Sequence, residues 1–92
     1  MAVTIRIPGP LRSLVGGEAE VESEGATVAE ALHHADQRYP GLTARIFEPD
    51  GRLKHFINVY KNDEDVRFDA GLQTSLVDGD DLSIVPAVAG GM

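Results

Sequence analysis

The hydrophobic period of this chain changes from that of a strand to that of a helix and back, and this order limits the folds open to it. Val3, Ile5 and Ile7 alternate with polar residues over residues 2–8, as in a half-buried strand. Residues 19–22 resume a polar alternation that could pair back as a hairpin, and their acidic outward face favours a sheet edge. The chain therefore begins with two predicted strands.

A helix is predicted next, because Thr27 is followed three residues later by Glu30, as in a capping box. Pro40 disfavours helical geometry at the residue before it, so the helix should end near Arg38 or Tyr39. The apolar positions with helical spacing are Val28, Ala31, Leu32, Ala35 and Tyr39. One apolar face would pack on the sheet.

The segment after the helix predicts further strands. After a loop through residues 49–51, residues 56–60 are rich in β-branched and aromatic side chains and are predicted as the central strand, with a polar turn at Asn62 and Asp63. Residues 66–68 are predicted as a short strand, and residues 71–77 as a turn or short helical connection.

The last predicted strand, residues 82–85, follows a tight turn at Asp78 and Gly79. Leu82 and Ile84 should face the core, with Val85 on the opposite face. The element order predicts an α+β fold, a mixed sheet with one main helix across it. In a domain this small the first and last strands should lie side by side.

Composition limits the classes of protein to which the chain can belong. Ninety-two residues make one small domain. Because 42% of the residues are hydrophobic and 25% are charged, the chain can form a core. The net charge of -7, without a basic run, argues against nucleic acid and membrane partners and favours a partner with a basic docking face. There is no cysteine, and no leader or membrane-spanning stretch, so we expect a cytoplasmic protein.

The C-terminal residues 87–92 end in Gly90, Gly91 and Met92. Such a segment has little to bury and nothing branched to obstruct it, so it could be threaded into another protein's active site. The reactive group would be the carboxyl of Gly91, which is free only after Met92 is removed. The alternative is an ordinary disordered terminus. Val85 and Pro86, where this segment begins, are candidate partner contacts, and Pro86 would stiffen the exit of the segment.

The element order and the terminal glycines together resemble the ubiquitin-like β-grasp sulfur carriers of the MoaD/ThiS family, above all those that serve a cysteine-forming synthase. The similarity runs essentially the whole length. It is densest in residues 56–68, 78–80 and 84–91. The resemblance implies a ubiquitin-like β-grasp domain over residues 1–86 and a flexible tail over residues 87–92.

The resemblance also implies a reaction cycle. An E1-like enzyme would adenylate Gly91 with ATP, and sulfur would displace AMP to leave a thiocarboxylate for a cysteine synthase-like acceptor. Val88, Ala89 and Gly90 would be recognised as the tail, and a JAMM-type metalloprotease would remove Met92. The carrier itself would bind no cofactor, since ATP and the sulfur source belong to the partner enzymes.

Other candidate sites are weak. His33 and His34 are adjacent on the predicted helix and diverge, and His55 is distant, so packing or surface roles are favoured over a metal site. The acidic turns, residues 63–65 and 78–81, lack the spacing of a calcium loop and could be either a docking surface or solvated turns. No catalytic constellation is present in the sequence, so we do not expect an enzyme.

Two other functions remain open at this point. A protein modifier would use the same Gly91 adenylate to form an isopeptide bond with a lysine, so the sequence does not separate it from a sulfur carrier. A non-reactive interaction domain would bind through its sheet and acidic loops and would keep Met92.

Overall fold

The computed structural model describes residues 2–86, and within them five strands form one mixed sheet. The strands are β1 (Ala2–Arg6), β2 (Glu20–Glu24), β3 (Ile57–Lys61), β4 (Glu64–Asp65) and β5 (Asp81–Pro86). The α-helices are α1 (Val28–Arg38) and α2 (Leu42–Ile46), and 3-10 segments lie at Gly9–Val15, Val66–Phe68 and Gly71–Gln73.

The strand order in the sheet is β2-β1-β5-β3-β4. β1 and β5 are parallel neighbours, so the prediction that the first and last strands lie side by side is confirmed. β2 is an edge strand with Glu20, Glu22 and Glu24 exposed, as its acidic face predicted. The middle position belongs to β5 and not to β3, which lies between β5 and the two-residue β4.

One face of the sheet packs against α1 and forms the core. The buried side chains of α1 are those predicted from helical spacing: Val28, Ala31, Leu32 and Ala35. They meet the alternating inward positions of the strands, among them Ile5, Val59 and Leu82, which are fully buried. The face of the sheet away from the helix carries polar and half-exposed side chains.

The start of α1 follows the predicted capping box with one difference. The Oγ1 of Thr27 accepts the backbone N–H of Glu30 at 3.2 Å. The carboxylate of Glu30 reaches one residue farther back than expected and accepts the N–H of Ala26 at 2.9 Å. The helix ends at Arg38, as Pro40 predicted.

Residues 66–68 and the segment after α1 differ from the sequence predictions. Residues 66–68 form a 3-10 turn and not a strand, because the carboxylate of Asp65 accepts the N–H of Arg67 at 2.9 Å and caps the turn while Val66 becomes buried. The helix α2 was not predicted. Gly41 begins it with φ +99°, and Asp36 holds its first turn by accepting the N–H of Thr43 at 3.0 Å.

The predicted polar turn between β3 and β4 is confirmed as a two-residue hairpin loop. Asn62 and Asp63 both have positive φ, 49° and 75°, which is the geometry of a type I′ turn. The predicted tight turn before β5 is also confirmed. There the N–H of Asp80 donates to the carbonyl of Val77, and Gly79 takes φ +90°.

Candidate functional site

The tail residues that the sequence analysis singled out, Val88, Ala89, Gly90, Gly91 and Met92, lie outside the described residues. Pro86 is the last residue of β5 and pairs with Ile57 of β3. We call Val85 and Pro86 the tail root. β5 is the middle strand, but β1 pairs with residues 81–83 and the tail root pairs with β3, so the tail root lies at the end of the sheet beyond its contact with β1.

Val85 is exposed on the face of the sheet opposite the helix, as predicted. Its side chain is 40% exposed, whereas Leu82 and Ile84 on the same strand are buried. Opposite it on β3 lies Asn58, whose Oδ1 accepts a hydrogen bond from Nη1 of Arg67 at 2.7 Å. Val85 is therefore an apolar side chain next to a polar pair, and its use as a partner contact stays a prediction.

On the other side of the tail root is a groove that the sequence analysis missed. It has a volume of about 230 Å³, and we call it the root groove. Its lining includes Pro10, Leu11, Arg45, Lys54, Phe56 and Pro86. Phe56 is 40% exposed, and the ammonium of Lys54 lies 5.9 Å from the centre of its ring. The residues come from four distant parts of the chain, so no local motif could have revealed the groove.

A larger open cleft of about 520 Å³ lies beside α1 and α2. His33 lines it and stacks on Phe47, with ring centres 5.2 Å apart and planes 12° apart. Lys54 lines both this cleft and the root groove. The cleft and the root groove are therefore adjacent, and Lys54 lies between them.

The acidic turn at residues 78–81 is part of the scaffold. Asp80 is only 6% exposed, and its carboxylate accepts hydrogen bonds from the N–H of Val77 at 2.8 Å and the amide of Asn62 at 2.9 Å. These donors, above all the Val77 N–H, lower the pKa of Asp80. Asp81 pairs with Arg6 at 2.8 Å. Asp80 is therefore a buried scaffold residue, whereas the side chain of Asp81 is 34% exposed, and a docking role for the acidic turns stays a prediction.

The histidines pack separately. His33 stacks on Phe47, His34 lies 3.2 Å from the Oγ of Ser23 through its Nδ1, and His55 meets the edge of Phe56. Within residues 2–86 no three His, Asp or Glu side chains are grouped as a metal site would require. In the same range no helix has the length and hydropathy to cross a bilayer.

The ThiS family model matches residues 5–91, a range that spans all of the sheet except its first residues and continues through Gly90 and Gly91. The sulfur carrier protein CysO of Mycobacterium tuberculosis is 44% identical over 93 residues, with 99% of this chain and 100% of CysO covered. Small archaeal modifier protein 3 of Haloferax volcanii is 37% identical over 94 residues, with 99% of this chain and 100% of the modifier covered.

A solved structure is similarly close. A chain in the crystal structure of the Amycolatopsis orientalis BexX/CysO complex has a TM-score of 0.91 and 52% sequence identity, and the match covers 97% of this chain and 99% of that chain. The mixed sheet crossed by one main helix is the β-grasp arrangement of these relatives. The predicted α+β β-grasp fold is confirmed.

Proposed function

The chain belongs to the ThiS family, and from this membership we propose that it carries sulfur as a thiocarboxylate on Gly91 for the synthesis of cysteine or a related metabolite. The observation that carries the proposal is the likeness to sulfur carrier protein CysO, which extends over 99% of the chain. The family match also runs to Gly91 itself.

The chemistry follows from the reactivity of a carboxylate. A carboxylate is a poor electrophile, so an E1-like enzyme joins Gly91 to AMP from ATP, with release of pyrophosphate. A hydrosulfide then attacks the carbonyl carbon, and the bond to AMP breaks. The products are a thiocarboxylate, AMP and a proton. The thiocarboxylate is a protein-bound sulfur nucleophile for a cysteine synthase-like acceptor.

The architecture supports a role in which partner enzymes supply the catalytic groups. β5 is the middle strand, and the tail root is held by its pairing with Asn58 and Ile57 of β3, while the reactive residue lies five positions beyond Pro86. Val85 offers apolar surface at this point, as a transient interface requires. The relative CysO is known in a complex with BexX, which supports partner binding.

Gly91 reacts only as a free carboxylate, so the peptide bond between Gly91 and Met92 must first be hydrolysed. We assign this step to a JAMM-type metalloprotease, with Val88, Ala89 and Gly90 as the recognised segment. The need for ATP favours the cytoplasm as the place where the carrier acts. Neither ATP nor the sulfur source is held by the carrier itself.

Reconstitution tests this proposal. A chain ending at Gly91 and the chain with Met92 are each incubated with the purified E1-like enzyme, ATP and hydrosulfide in the absence of protease. The chain ending at Gly91 should gain the mass of one sulfur in place of one oxygen, and the chain with Met92 should not. Equal thiocarboxylation of both would contradict processing at Met92, and modification of neither would contradict the carrier function.

A second candidate function is protein modification, which the 37% identity to small archaeal modifier protein 3 favours. The same adenylate would then transfer Gly91 to a lysine amine, with AMP as the leaving group. A ladder of high-mass conjugates that disappears in a chain without Gly91 would identify this activity.

A further inference from the structure

Two cationic side chains of this acidic chain have no hydrogen-bond or ion-pair partner within residues 2–86. The chain has eight lysines and arginines, and six of them donate to oxygen atoms of the fold: Arg6, Arg12, Arg38, Arg52, Lys61 and Arg67. The side chains of Arg45 and Lys54 make no hydrogen bond or ion pair with any residue of that range, although the ammonium of Lys54 lies near the ring of Phe56. Both line the root groove beside Pro86.

The length of the tail brings a partner close to this groove. Five residues separate Pro86 from the reactive carbonyl of Gly91, and an extended chain of five residues spans at most about 17 Å. An enzyme that reacts with Gly91 inside an active site must therefore place the rim of that site against the tail root. The root groove lies beneath the rim in that complex.

Covering the groove has an electrostatic cost unless the partner supplies an opposite charge. Arg45 is exposed and Lys54 is half-buried in the free protein, and the groove around them is lined by the apolar side chains of Pro10, Leu11 and Phe56. Removing water from an unpaired cation is strongly unfavourable, whereas a carboxylate at hydrogen-bond distance offsets the loss. The complementary surface is therefore acidic at this point.

We propose that the root groove is the docking site for an acidic side chain, flanked by apolar residues, on the rim of the adenylating enzyme's active site. This inference rests on the proposed function, because it takes the E1-like enzyme as the partner. The local charge is opposite to the net charge of -7, from which a basic docking face was predicted. The pair of cations would fix how the carrier is oriented as its tail enters.

Charge reversal tests the proposal. Arg45→Glu, Lys54→Glu and the double variant are made in the chain ending at Gly91, and ATP–pyrophosphate exchange is measured with the purified E1-like enzyme at varied carrier concentration. The double variant should raise the KM for the carrier at least about tenfold while kcat changes little. Added salt should raise the KM of the wild type more than that of the double variant.

Arg52→Glu is the matched control for each single reversal, since it changes the net charge equally at an exposed residue whose side chain bonds to the nearby Asp50. Arg45→Gln with Lys54→Gln provides a milder variant, and circular dichroism checks that each variant is folded. If each single reversal has the KM of the Arg52→Glu control, or if the double reversal has a lower KM than the wild type, the acidic partner is wrong and the carrier function stands. If the wild type ending at Gly91 supports no exchange, the proposed function and this inference both fail.

Discussion

The side-chain amide of Asn62 donates a hydrogen bond to Oδ1 of Asp80 at 2.9 Å and joins the β3–β4 turn to the start of β5. The Oδ1 of Asn62 in turn accepts the N–H of Asp81 at 3.0 Å. These bonds fix the end of the sheet opposite the tail root. The acidic residues there stabilise the strand that positions the tail, at a distance from the tail itself.

The Asp80 contacts predict a loss of stability in acid. Its pKa is lower in the folded state, because the N–H of Val77 and the amide of Asn62 favour the carboxylate. Its contribution to the free energy of unfolding is complete above the unfolded-state pKa of about 3.9. That contribution is lost as the pH falls through the lower pKa of the folded state. Urea unfolding between pH 6 and pH 3 should show a shallower pH dependence for Asp80→Asn than for the wild type.

Part of the acid sensitivity should remain in Asp80→Asn. The pKa of Asp36 is also lowered, chiefly because it accepts the N–H of Thr43 at the start of α2. Identical pH profiles for the wild type and Asp80→Asn would contradict the assignment of this role to Asp80.

Gly25 is predicted to tolerate no side chain. A Cβ at this position would lie 2.5 Å from the backbone nitrogen of Ala31 in α1, so the helix or the end of β2 would have to move. Gly25→Ala should cost about 1–3 kcal/mol of unfolding free energy, measured by urea denaturation. Gly9→Ala is the control, because a Cβ there has nothing within 4 Å. Equal stability of the two variants would contradict the predicted clash.

Val85→Asp is predicted to weaken partner binding and to leave the domain folded. The side chain is 40% exposed beside the tail root, so a carboxylate stays solvated in the free protein but is placed in an apolar contact in the complex. Calorimetry with the E1-like enzyme should show a Kd raised at least about tenfold, and Val85→Thr, which keeps the shape, should bind nearly as the wild type does. Unfolding of Val85→Asp would instead show that Val85 belongs to the core.

Much of the fold was predictable because the capping and alternation patterns in the sequence favour the same structure as the packing of the core. The capping pattern at Thr27 and Glu30 located the start of α1, and alternation along β5 placed Val85 on the outer face. Residues 66–68 were predicted as a strand because of their β propensity. They form a 3-10 turn because the N–H of Arg67 donates a hydrogen bond to the Asp65 carboxylate.

The candidate site could be proposed from the sequence only where its residues are consecutive in the chain. Gly91 and Met92 are visible as sequence, whereas the root groove is assembled from residues as far apart as Pro10, Arg45 and Pro86. Net charge averages over the surface, so it predicts a basic partner face and does not locate a local pair of cations. The two cations without hydrogen-bond or ion-pair partners in residues 2–86 could be recognised only once the hydrogen bonds of the other six were known.

The central claim is that Gly91 becomes a thiocarboxylate after Met92 is removed, and intact-mass spectrometry of the protein recovered from its own cells tests it most directly. We predict a species that lacks Met92 and has one oxygen replaced by sulfur. Full-length protein with Met92 as the only form would contradict the account and favour a non-reactive interaction domain.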